Sequence, residues 1–329
     1  MDFTLPRFTD ENSAREHLES LRWPNGPVCP HCGGVERISR IEALTPRKPR
    51  KGKRSTVARA GLLFCGDCRT QFTVTVGSVF EHSKIPLHKW VLATHLLCAS
   101  KKGMSSHQLH RMIGVTYKTA WFMTHRIREA FKPDANEGPI GGGGKIVEAD
   151  ETYWGNIKPI HHRAPGRKGG GWGHKNKILA LVERDGRARS FHVANVTHET
   201  LKPILKKQIA QDSHLMTDAA SHYRQLKGGF LSHETVNHAK KQYAKKSRAV
   251  KGAVAHSNTV ESFFGLFKRG LYGTYHHVSE AHLQRYCTEF DFRFTHRKAT
   301  DEQRAASALR QIGGKRLMYG GPRQNEASI

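Results

Sequence analysis

An α/β domain preceded by a cysteine-paired ribbon and a helical pair is what this sequence of 329 residues predicts. Three observations carry that expectation. Two Cys-x-x-Cys pairs stand near the N-terminus, a helix–glycine–helix pattern follows, and from residue 145 strand-like and helix-like runs alternate around three spaced carboxylates. The length suffices for two or three domains with real cores. The division read here is a ribbon region over 1–85, a helical segment over 86–140, an α/β domain over 145–300 and a tail over 301–329.

In the ribbon region the pairs are Cys29-Pro-His-Cys32 and Cys65-Gly-Asp-Cys68. A two-residue gap lets both thiolates of a knuckle reach one tetrahedral Zn²⁺, with glycines allowing the tight turn. Gly33 and Arg69 follow the second cysteines, where a haem attachment site needs histidine, and a redox pair would need a βαβ context that is missing. Cys29, Cys32, Cys65 and Cys68 are therefore the predicted ligands of a structural zinc. Gln71-Phe-Thr-Val-Thr-Val76 alternates like a hairpin strand. The basic run Pro46–Arg54 reads either as a solvated ribbon loop or as a phosphate contact. Cys98 and Cys287 sit singly in helical patterns and read as core.

Apolar residues from Leu87 to Ser100 recur at helical spacing. A short helix over Ser106–Met112, a turn at Ile113-Gly114-Val115 and a second helix from the N-cap Thr116 to Phe131 come next. That layout can seat a second helix in the major groove, with Tyr117, Lys118 and Thr119 towards DNA, and Ala120, Trp121, Met123 and Ile127 inward. An ordinary helical hairpin would read the same way. Gly141-Gly-Gly-Gly144 reads as a flexible hinge and the boundary of this part.

Beyond it come a strand (145–153), a basic glycine-rich loop (163–176), a strand (177–184), a turn at Asp185-Gly186 and a strand (188–195). A helix over 199–209, a strand ending at Asp218, a helix from Ala219, a strand near 234–236, a basic loop (240–251) and a helix from Asn258 complete the pattern. Three hairpin strands, a helix, a further strand and a late acidic helix describe an RNase H-like α/β fold. Asp150 on the first strand, Asp218 at a strand end and Glu261 on the late helix can together hold two hard divalent ions for in-line phosphoryl transfer. By strand alternation Glu148 points the same way as Asp150, and Glu151 to the other side.

The charge agrees with a nucleic-acid partner. Lys and Arg number 54 against 28 Asp and Glu, a net +26, which argues for a polyanion. No basic n-region with an apolar core opens the chain, and the longest apolar stretch, around Trp90–Ala99, is too short to span a membrane. A cytoplasmic, nucleoid-associated protein is expected, with its cysteines reduced.

These residues bring the chain to a known family. It resembles insertion-sequence transposases of the ISXO type, through Glu148-Ala-Asp150-Glu-Thr-Tyr153, Met216-Thr-Asp218 and His256-Ser-Asn-Thr-Val-Glu261-Ser-Phe-Phe-Gly-Leu-Phe-Lys268-Arg269-Gly270. Tyr272-Gly-Thr-Tyr-His-His277 and the helix to Arg297 extend the similarity, which covers nearly the whole chain. The resemblance implies a bacterial DDE transposase that binds terminal inverted repeats and target DNA, acts as a homo-oligomer on double-stranded DNA and uses Mg²⁺ or Mn²⁺. It gives Asp150 the bridging place between two ions, with Asp218 and Glu261 each completing one, and sets Lys268 and Arg269 against DNA. Some members carry Asn at the third acidic place, which makes Asn258 a second candidate. On a helix Glu261 and Lys268 lie within about 20° of one face, whereas Asn258 and Lys268 are about 80° apart. That favours Glu261. A DNA-binding regulator with a decayed catalytic domain is the competing function class.

Overall fold

The computed structural model describes residues 2–41, 60–134, 136–155, 175–224, 226 and 228–318. They form two compact units. One comprises the residues up to Ser100, Met104–Phe131 and those from Ala299; the other comprises Lys101–Gly103 and Lys132–Lys298. The predicted basic loop at 46–54, and that at 163–176 up to residue 174, lie outside the described residues; Asn176 already belongs to a strand.

In the first unit a short helix α1 (Pro6–Thr9) and α2 (Glu11–Arg22) precede a three-stranded antiparallel ribbon of β1 (Ile38–Arg40), β2 (Leu63–Cys65) and β3 (Gln71–Phe72). The expected strand to Val76 stops at Phe72, because the chain turns and Val76 N–H bonds Thr73 O at 3.0 Å. Helices α3 (Leu87–Ala99), α4 (Ser106–Ile113) and α5 (Tyr117–Ala130) follow, as the apolar periodicity predicted. Gly114 takes the left-handed conformation at the end of α4, and Thr116 caps α5 by accepting from Thr119 N–H at 3.2 Å. The segment read as a tail is a helix over Asp301–Arg310, closed by a Thr300/Gln303 capping box and packed on α3 and α2; it is α9, after the helices named next.

The second unit is built on a five-stranded sheet. Its strands are β4 (Ile146–Trp154), β5 (Asn176–Glu183), β6 (Ala188–Val193), β7 (His214–Asp218) and β8 (Ser232–Val236), in the order β6-β5-β4-β7-β8. The first three strands are antiparallel, and β7 and β8 run parallel to β4. Helix α6 (His198–Gln208) crosses between β6 and β7, and a small hairpin of β9 (Ala244–Lys246) and β10 (Val254–His256) leads into α7 (Asn258–Gly270) and α8 (Glu280–Thr295). The expected basic loop over 240–251 thus contributes a strand, and the helix expected from Ala219 is only a 3₁₀ turn over Ser221–Tyr223.

Alternation on the strands splits the core into two layers. Ile178, Ala180 and Val182 pack under Val260, Phe263 and Phe267 of α7 and Phe290 of α8, while Val147, Ala149, Leu179 and Leu181 pack against Leu201 and Leu205 of α6. Phe263, Phe267 and Phe290 are wholly buried, each stabilising the α7–α8 layer by roughly 1.5–3 kcal/mol relative to exposure.

The glycine run is not a hinge. Its amides donate to Glu183 Oε2 (3.1 Å), Ser213 Oγ (2.8 Å), Asp212 Oδ2 (2.6 Å) and Asp212 O (2.9 Å) in the order Gly141 to Gly144. Gly141 has φ +84°, and a Cβ there would sit 2.2 Å from Ser213 Oγ, so glycine serves close approach rather than freedom. The run is therefore part of the second unit. Among the described residues no helix is long and apolar enough to cross a membrane.

Candidate functional site

The sheet register brings two of the predicted carboxylates level. Strand β4 pairs with β7 through Ile146↔His214, Val147↔Leu215 and Glu148↔Met216. The same offset carried two residues further sets Asp150 opposite Asp218, where β7 ends. Asp150 also pairs with Ala180, so it lies on the face covered by α7. Asp150 Oδ1 accepts from Glu151 N–H at 2.8 Å, and Asp218 Oδ1 from Ala220 N–H at 2.9 Å.

Burial pushes the Asp150 carboxyl up to about 7, and the neighbouring charges of Glu151, Asp218 and Glu261 push the same way against the bond from Glu151 N–H. The charges of Asp218 and Glu261 thus bear on the face that carries Asp150, the kind of all-oxygen donor set that a hard divalent cation relieves. Their atoms are still apart. Among the described residues, only the four cysteines form a cluster of three or more ligand-type side chains with all donor atoms within 4.8 Å of one another.

Glu261 is half exposed and accepts from Ser257 Oγ at 2.8 Å, with His238 Nε2 at 3.7 Å. Asn258, at the first position of α7, is exposed, and its N–H bonds His256 Nδ1 at 3.2 Å. Lys268 and Arg269 occupy the last turn of α7, Lys268 half-buried and Arg269 exposed.

Glu148 does something the sequence did not disclose. It is wholly buried and accepts from Thr259 N–H (2.8 Å), Thr259 Oγ1 (2.9 Å) and Val260 N–H (3.0 Å). Ser257, the residue before α7, makes no side-chain cap, so a carboxylate 111 residues earlier caps the helix instead. Arg184 Nε balances it at 2.6 Å, and the same guanidinium donates to Val254 O (2.8 Å) and His256 O (3.1 Å). This pin fixes the helix that carries Glu261 to the strand that carries Asp150. Alternation correctly put Glu148 on the Asp150 face, but its partners could not be read without the register.

Glu151 faces the other side, as alternation predicted. There it accepts from the Tyr223 hydroxyl and lies 3.2 Å from His222 Nε2, which ties β4 to the turn just after Asp218. Burial raises the Tyr223 hydroxyl well above its ordinary value, and the Glu151 charge adds to this.

In the first unit the four cysteines converge. Sγ–Sγ distances are 3.6 Å for Cys29–Cys68 and for Cys32–Cys65, near the edge of about 3.8 Å expected for four sulfurs each about 2.3 Å from one tetrahedral ion. All four are free thiols. Burial raises the Cys29 thiol, but the Cys32 and His31 amides outweigh it and bring it down to about 6. The cluster is a candidate zinc site.

Of the residues expected to face DNA, Tyr117 is 45% exposed and stacks on His107 with ring centroids 4.2 Å apart. Lys118 is exposed, while Thr119 is half-buried with its hydroxyl 2.9 Å from Thr116 Oγ1. Ala120, Met123 and Ile127 are buried as expected, and Trp121 is partly so.

Residues 141–295 match the ISXO2-like transposase domain family, and residues 9–71 match the transposase zinc-ribbon domain family. A relative from Halobacterium salinarum, described as an uncharacterized protein in transposable element ISH50, is 28% identical over 296 residues, covering 88% of this chain and 92% of that protein.

Proposed function

Because the chain belongs to the ISXO2-like transposases that carry a zinc ribbon, we propose that it cleaves and transfers DNA at the terminal inverted repeats of a bacterial insertion sequence. The strand order and directions of the second unit support an RNase H-like fold for this chemistry. The observation that carries the reading is Asp150 level with Asp218 on the sheet face under α7, with Glu261 close enough to raise its carboxyl.

Asp150, Asp218 and Glu261 would hold Mg²⁺ or Mn²⁺. Ions bound there would stabilise the entering and leaving oxygens of an in-line displacement at phosphorus. Glu148 and Arg184 hold α7 against the sheet, so that Glu261 faces the strand carboxylates. Asn258, beside Glu261 on the first turn of α7, is the second candidate for the third ligand. Lys268 and Arg269 grip backbone phosphates of the DNA near the carboxylates. Tyr117, Lys118 and Thr119 meet duplex DNA at the start of α5. Cys29, Cys32, Cys65 and Cys68 hold one structural Zn²⁺. The protein works as a homo-oligomer on double-stranded DNA in the nucleoid.

A regulator with a decayed domain would have no need to keep Asp218 and Glu261 near enough for their charges to bear on Asp150. The test is a linear duplex carrying the gene's own flanking repeats, incubated with Mg²⁺. Cleavage at the repeat ends by the intact protein and none by Asp150→Asn is the expected result. Tight binding without any cleavage would turn the reading to the regulator.

A further inference from the structure

We propose that the trough beside the N-terminal half of α5 is a seat for a single backbone phosphodiester of duplex DNA, held by Lys84, Lys118 and Arg126. The inference rests on the reading that α5 meets DNA, and adds where and through which groups.

Two adjoining cavities, of about 290 and 490 Å³, share Ile85 and Thr119 as walls. The smaller one is lined by Lys84, Lys118, Arg126, Ser83 and Thr119 among others, and no Asp or Glu lines either. Arg126 is the unusual member. It is only 6% exposed, its Nη2 donates to Glu81 O at 2.6 Å, and its Nε has no hydrogen-bond partner. A buried guanidinium left short of acceptors is costly unless an anion completes it. The Glu81 carboxylate offsets part of that cost and the Arg316 charge adds to it.

The chemistry around it narrows the ligand. The guanidinium lies 5.3 Å from the Trp90 ring centroid and 5.7 Å from that of Phe122, so each ring already carries a cation over one face where a nucleobase would stack. Trp90 Nε1 is already bonded to Ser83 Oγ at 2.8 Å, and Lys89 Nζ to Gly114 O at 3.2 Å. Lining the trough are the exposed Lys84 and Lys118 and the buried Arg126, beside the first turn of a 14-residue helix. Lysine, arginine and helix N-termini are the groups that take DNA phosphates. An open trough beside an exposed helix start suits a phosphate on a duplex better than an enclosed small molecule.

The test uses the full chain and two unrelated 30-base-pair duplexes, with binding followed by fluorescence anisotropy across a salt series. Lys84→Gln and Lys118→Gln are each expected to weaken binding about tenfold, equally on both duplexes, because a phosphate contact carries no sequence. The double variant should lower the salt slope by no more than about 0.9, the share of one phosphate. A loss near 1.8 would mean two separate phosphates and overturn the single seat. Unchanged affinity in both single variants, or an effect on only one duplex, would overturn it while leaving the DNA reading intact. No binding by the unaltered protein would remove that reading as well.

Discussion

The four thiols of the ribbon come from two short knuckles and stand with all their sulfurs within 4.8 Å, whereas the carboxylates of the second unit come from a strand, a strand end and a helix and do not close to that distance. Each knuckle is local, because a two-residue gap and a left-handed residue after it, Gly33 in the first and Arg69 in the second, set two ligands at once. The carboxylates depend on register. Asp150 and Asp218 come level through the parallel pairing of β4 with β7, and Glu261 joins them through the packing of α7 on the sheet and the Glu148 pin. Closed and soft donors suit a structural ion; open, hard, mutually repelling ones suit a site that must admit substrate and move charge.

The sharpest way to break that contrast is to remove one hard ligand. Asp150→Asn and Asp218→Asn should each lower repeat-end cleavage by at least about 10³-fold, since the several kcal/mol of charge stabilisation goes with the carboxylate. Fold and end binding should persist, because an amide matches the carboxylate in shape. Glu261→Gln should behave likewise and Asn258→Ala should give only a partial defect. An active Glu261→Gln beside a dead Asn258→Ala would reassign the third ligand.

On the soft side the expected loss is of fold. Freshly purified protein should contain about one zinc per chain, and Cys65→Ser or chelation should melt the ribbon, because metal binding is coupled to folding in such small units. A metal-free preparation with an unchanged melting curve would make the cluster a set of free thiols that hold no ion.

What the sequence disclosed follows the same divide. The knuckles, the helix–Gly114–helix pair and the Asp185-Gly186 hairpin were legible because each is written within a few residues. Asp150 and Asp218 were legible as strand residues, with alternation already separating Glu148 from Glu151. The glycine run misled, since four glycines in a row spell freedom, yet Asp212 and Ser213, some 70 residues on, hold their amides. The buried Arg126 and the capping role of Glu148 were equally hidden, as both depend on partners from other elements.

Glu148 tests whether assembly by register matters to the chemistry. Glu148→Gln keeps the shape but leaves Arg184 without its counter-charge and can no longer accept from every donor that surrounds it. Breaking such a pair should cost about 3–5 kcal/mol of stability. Displacement of α7 should cost about 10–100-fold in cleavage, the usual range for a group that orients metal ligands. A melting-point drop with undiminished cleavage at low temperature would show that the pin holds the fold but does not set the site.

The smallest effect, and the one most specific to the crowded carboxylates, is on pH. Asp150 rises from an ordinary 3.8 to about 7 in the folded chain, through burial first and then the charges of Glu151, Asp218 and Glu261. A carboxyl with a raised folded value contributes stability that is present below pH 3.8 and is lost as pH climbs through 7. Without divalent ions the second unit should therefore lose stability between about pH 4 and pH 7, by roughly 2–4 °C of melting temperature per kcal/mol for a unit of this size. Mg²⁺ competes with the proton for the same oxygens, so its stabilising shift should be larger at pH 8 than at pH 6. Asp150→Asn should flatten the metal-free profile and shrink the Mg²⁺ shift, whereas Cys65→Ser should alter neither in the second unit. Thermal melts of the three proteins at the two pH values, with and without 10-fold changes in Mg²⁺, read this directly. A Mg²⁺ shift that is equal at both pH values would mean that the ion does not bind where Asp150 holds its proton.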